Sequence, residues 1–169
     1  MTGTPDLAWL TRLCRAGAID VGLPGGWRLH RRVEPTGCTA VEVADARAHV
    51  VGAVHSATVP MLSVAAAWRG WVRDVGDATR WWALAMGHAR IGEDLTVAFC
   101  RRDVRTGRLH LTVLTPTVVG GVWVAATAGP HVGVSCRQGR QQRFRRLTPM
   151  PGEPADVRVP PEPTNRIGS

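Results

Sequence analysis

Two long stretches of this arginine-rich chain carry no formal charge: residues 50–68, a run of 19, and residues 111–134, a run of 24. Uncharged runs of that length belong against something apolar, either a protein core or a bilayer, which takes about 20 apolar residues to cross. Their makeup favours the core. Both are rich in Gly, Ala, Thr and Ser, with His55, Pro60 and Ser63 inside the first and Pro116, Gly120 and Gly121 inside the second. The competing expectation is a membrane-associated protein with both segments inserted, Trp68, Trp71, Trp81 and Trp82 forming an interfacial belt and arginines gripping anionic lipid.

A chain of 169 residues is about one domain and large enough to bury a core without disulfides. Its four cysteines, Cys14, Cys38, Cys100 and Cys136, show no Cys-x-x-Cys spacing, so they read as reduced, buried thiols. The first residues carry an acid and no long apolar run, unlike a secretory leader. The expected location is the cytoplasm, with membrane association as the alternative.

The chain has no Lys and no Tyr, and uses Arg, Ala, Val, Gly, Pro and Thr instead. That is the pattern of a high-GC genome, as in an actinomycete. Codon bias explains Arg in place of Lys, but not why 21 basic residues outnumber 13 acidic ones to give +8. A pI near 11.2 suits an anionic partner: nucleic acid, a lipid surface or an acidic protein.

Along the chain, helical spacing predicts short helices over residues 6–14, 61–75 and 79–89, the last two opened by Pro60 and Asp77. Strands are expected over 27–33, 39–43 and 49–55, with a turn at Pro35-Thr36-Gly37. Residues 109–114 give the clearest period of two, Leu109, Leu111 and Val113 alternating with His110 and Thr112. They face residues 95–100 across the polar connection 103–107, a hairpin pattern. Residues 118–126 and 131–136 add two more strands, with turns at Gly120-Gly121 and Gly129-Pro130. The expected fold is α+β, helices packed on a curved antiparallel sheet. Its domain is 1–148, followed by a Pro-rich disordered tail, 149–169.

The most pointed feature is the segment 137–146, with five arginines in ten residues and no acid. Arg137, Arg140, Arg143, Arg145 and Arg146 can neutralise phosphates, and Phe144 offers a face on which a base can stack. Arg28, Arg31 and Arg32, with His30, form a second basic cluster that strengthens the site if the fold brings the two together. Arg101, Arg102, Arg105 and Arg108 around the hairpin turn could extend it.

Other chemistry is poorly supported. The six histidines lack the i, i+4 spacing of a helical metal site. Cys100 and Cys136 are the only thiol candidates with histidines (His110, His131) nearby, and Arg101 and Arg102 would activate Cys100 if they came close. The Gly22–Gly26 run lacks the Lys-Ser/Thr of a phosphate loop. No metal and no cofactor is expected. The leading expectation is therefore a non-enzymatic accessory protein contacting nucleic acid or another acidic partner through its arginines. Mobile-element transfer or maintenance is one setting where small basic proteins of this composition occur. A small-molecule binder or enzyme with a Trp-lined pocket is the remaining alternative.

Overall fold

The computed structural model describes residues 19–57, 61–73 and 79–152. Thirteen strands follow one another: β1 (Asp20–Gly22), β2 (Arg28–Val33), β3 (Thr39–Ala44), β4 (Val50–His55), β5 (Ala66–Arg73), β6 (Thr79–His88) and β7 (Leu95–Arg102). Then come β8 (Leu109–Leu114), β9 (Thr117–Val119), β10 (Val122–Ala128), β11 (Gly133–Gln138), β12 (Gln141–Arg146) and β13 (Thr148–Pro149). They form three sheets, ordered β1-β2-β3-β4, β13-β5-β6-β10-β9 and β12-β11-β7-β8. All neighbours are antiparallel except β13, which runs parallel to β5.

The second sheet lies between the other two, and the burial pattern shows why. Trp81 through Gly87 of β6 and Val122 through Thr127 of β10 are all buried. Alternate side chains of these strands serve two separate cores. Trp82, Leu84, Met86, Val122 and Val124 pack with Leu29, Val41, Val43 and Val54 of the first sheet. Ala83, Ala85, Trp123 and Ala125 pack with Val97, Phe99, Val134 and Cys136 of the third. A strand covered on both faces shows no polar alternation, which accounts for the charge-free character of 122–128.

Close contacts lock the tryptophans of the middle sheet. Gly70 of β5 pairs with Trp82 of β6, and a Cβ at Gly70 would lie 2.3–2.5 Å from the indole. Trp123 Nε1 donates to the Ser63 carbonyl at 2.9 Å. That bond satisfies a fully buried donor, whose exposure to an apolar core without a partner costs about 1–3 kcal/mol.

The α+β expectation is overturned. Among the described residues there is no α-helix, only a 3-10 turn at Pro24–Gly26. The helices read over 61–75 and 79–89 are β5 and β6 in the described part, while Pro60, Asp77 and the helix over 6–14 lie outside the described residues. The physical reason is burial on two faces: a run such as Trp81-Trp82-Ala-Leu-Ala-Met86 offers apolar residues at helical and strand spacing alike, and sheet context decides. The strands expected at 27–33, 39–43, 49–55, 95–100 and 109–114 are present. The run 118–126 is two strands, β9 and β10, folded back on each other at Gly120-Gly121. Of residues 149–169, Pro149 sits in β13 and Met150 is 1% exposed in the first core. Residues beyond 152 lie outside the described part. No helix among the described residues is long and apolar enough to cross a membrane.

Candidate nucleic-acid interface

The basic segment folds as the β11–β12 hairpin, its register running from Gly133↔Arg146 to Gln138↔Gln141. Val134 and Cys136 point into the core against the middle sheet. Their partners Arg145 and Arg143 therefore leave the sheet on that same side, at its margin. Arg145 reaches back to donate to the Val64 carbonyl at 3.2 Å. Phe144 and Arg146 lie on the opposite, outer side, across from Ser135 and Gly133. Phe144 is 63% exposed.

Gly133 makes the position of that ring possible. A Cβ there would stand 2.7 Å from Phe144 Cζ and 2.9 Å from Cys100 Sγ. With only hydrogen at that point, the phenyl ring lies over β11 beside Cys100. The outer side continues onto β7 and β8, where Cys100 pairs with Leu111, Ala98 with Val113 and Arg102 with Leu109. Arg102 thus stands at the same end of the face as Arg146. Of the arginines around the β7–β8 turn, Arg102 is the one that the register sets on this face; the turn itself is closed by Asp103, which accepts from the Arg105 and Thr106 amides at 2.8 and 3.1 Å. These hydrogen bonds hold the Asp103 carboxyl below its usual range.

The second expected cluster is elsewhere. Arg28, Arg31 and Arg32 lie on β2 of the first sheet, with the middle sheet separating them from β11–β12. The fold does not join the two clusters, and it neutralises most of the second. Arg32 Nε donates to Glu42 at 2.7 Å and its Nη2 to Glu34 at 3.3 Å; Arg28 meets Asp20 at 3.4 Å. Glu42, on β3 opposite His30, also meets His30 Nε2 at 3.0 Å. Burial would raise the Glu42 carboxyl, but Arg32 and then His30 more than offset this and hold it below the usual range. By contrast, no carboxylate pairs with Arg137, Arg140, Arg143, Arg145 or Arg146 among the described residues. Their positive charge is available to a partner; that of Arg28 and Arg32 is spent within the fold. No family model matches the chain, nor does any curated protein or solved structure.

The rival chemistries fare as follows. Burial raises the Cys100 thiol and pushes Cys136 up to about 11, so neither is an activated nucleophile at neutral pH. His131 is buried edge-on to Phe99, centroids 5.7 Å apart. Its Nδ1 lies 3.2 Å from the Gly129 carbonyl and its Nε2 3.1 Å from Thr112 Oγ1. Burial lowers its pKa, and a neutral ring donating from Nδ1 and accepting at Nε2 satisfies both contacts. His88 ties two layers together, Nδ1 meeting Ser63 Oγ at 2.8 Å and Nε2 the His55 carbonyl at 2.7 Å. Among the described residues no three His, Cys, Asp or Glu side chains are placed to hold a metal. Four tryptophans, Trp68, Trp81, Trp82 and Trp123, are consumed by the cores. Trp27 and Trp71 line an open depression of about 400 Å³ with Asp45 and Arg47.

Sequence reasoning missed two parts of this picture. One is Glu42 as the quencher of Arg32. Counting outward from the turn at 35–37 along the two flanking strands would have set His30 against Glu42. The other is the role of Leu109, Leu111 and Val113, whose alternation marks a strand but whose apolar side faces outward.

Proposed function

We propose that this chain is a small, non-enzymatic accessory protein that holds nucleic acid on the arginines of the β11–β12 hairpin. One observation carries the reading: five arginines gather on a single hairpin with no carboxylate partner among the described residues, while two of the three on β2, Arg28 and Arg32, pair with Asp20, Glu34 and Glu42. Guanidinium groups bind phosphate bidentately and are weakly hydrated, so unpaired arginines on a rigid hairpin are suited to a polyanion.

The test is fluorescence anisotropy at low salt with labelled DNA and RNA, using the full chain and two variants. Replacing Arg140, Arg143 and Arg146 by Gln should abolish most binding. Replacing Arg28 and Arg32 by Gln should leave it nearly intact. Absence of binding by the unaltered chain overturns the proposal, as does equal loss in both variants. Binding to polyglutamate as tight as to nucleic acid would point instead to an acidic protein as the partner.

A further inference from the structure

The outer side of the third sheet carries four large apolar side chains in the open: Phe144, Leu109, Leu111 and Val113 are 63%, 58%, 56% and 62% exposed. Among the described residues no other layer covers this side, since both cores lie against the middle sheet. Contiguous exposed apolar surface on a folded protein marks a contact surface. The charges around it say what kind. Arg146 and Arg102 stand at one end and Arg137 toward the other, and none of the three has a carboxylate partner among the described residues.

We infer that this face takes single-stranded nucleic acid, with bases laid on Phe144 and the β8 apolar row and phosphates held by Arg146 and Arg102. The inference rests on the reading of the hairpin as a nucleic-acid contact and adds the form of the ligand. A second copy of the chain would match apolar to apolar but set these arginines against their own duplicates. A duplex offers phosphates but keeps its bases stacked inside, leaving the four apolar side chains unmatched. A single strand presents both a polyanionic backbone and unstacked bases with flat apolar faces.

The dimensions agree. From β8 to β12 the face spans three strand spacings, about 14 Å, the width on which a four-stranded sheet stacks about two or three bases. Because Gly133 has no side chain, Phe144 can sit over β11 without a neighbour rising beside it. Leu111 and Val113 give aliphatic contact on the far strand.

The test compares three probes at one salt concentration: a labelled oligothymidylate, a duplex of equal length and an abasic oligomer that keeps only the phosphates. The unaltered chain should prefer the oligothymidylate to both others. Phe144→Ala should weaken it by about 5- to 150-fold, the range for losing one stacked base, with an unchanged salt slope and unchanged affinity for the abasic oligomer. Phe144→Tyr should restore most of the loss. Leu111→Ser, on a different strand, should reduce the same preference, and circular dichroism should show both variants folded. Equal affinity for duplex and single strand, unmoved by Phe144→Ala, would overturn the inference while leaving the arginine contact standing. No binding of any nucleic acid overturns both.

Discussion

The salt dependence of binding follows from the count of unpaired arginines. If each of the five arginines in 137–146 meets one phosphate, a single strand releases counterions with a slope of log K against log salt of about −0.7 per contact, or about −3.5 in all. Raising monovalent salt from about 50 to about 200 mM, a fourfold change, should then weaken binding by roughly 100-fold. Replacing Arg140, Arg143 and Arg146 by Gln leaves two contacts and a slope of about −1.4. Replacing Arg28 and Arg32 should leave the slope where it was, because Asp20, Glu34 and Glu42 already take those charges. The assay is an anisotropy titration repeated over a salt series. A slope shallower than about −1 for the unaltered chain, or one that the three substitutions do not change, would refute the assignment of phosphate contacts to this hairpin.

Three further outcomes test the fold. Gly70→Ala should destabilise the protein by about 1–3 kcal/mol or more, since its Cβ falls inside the Trp82 indole; urea unfolding followed by tryptophan fluorescence reads this, and an unchanged midpoint would contradict the packing. His131 is held neutral by burial, so the unfolded chain binds more protons as pH falls through about 6.5 toward the lower folded value, and stability should drop over that window. His131→Gln should lose less stability than the unaltered chain between about pH 7.5 and pH 5; equal loss would remove His131 as the source. Cys136, with its thiol near 11, should resist a thiol reagent at neutral pH until the protein is unfolded, as read by mass spectrometry of the labelled peptides.

What could be read from the residues alone divides along a physical line. Two hairpins with a polar side to their strands were legible: Leu95 to Leu114 around Asp103–Gly107, and β2–β3 around the turn at 35–37; the β5–β6 hairpin, apolar on both faces, was read as two helices. Local alternation and turn chemistry decide such pairs. The middle sheet was not legible, because β6 pairs with β10 across the whole β7–β8 excursion and its residues are apolar on both faces. Met86 and Trp82 look the same on a buried strand as on a buried helix. The basic segment 137–146 was legible as a cluster, and the structure keeps it on one hairpin. Its union with Arg28, Arg31 and Arg32 depended on how three sheets stack, which no local pattern encodes. The outward aim of Leu109, Leu111 and Val113 was hidden for a related reason: alternation gives a strand two sides but does not say which one meets the core.

Among the described residues the third sheet ends in two edges, β8 on one side and β12 on the other, each hydrogen-bonded to a single neighbouring strand. Such edges, beside exposed Leu and Val, are templates on which another chain's strand can add. Here β12 is studded with Arg143, Arg145 and Arg146, and the β8 edge begins next to Arg108. Like charges drive approaching copies apart before backbone pairing can begin. The arginines proposed to hold a polyanion would therefore also oppose self-association of the unliganded protein. A variant stripped of them should gain a tendency to self-associate, so light scattering belongs beside every binding curve measured on it.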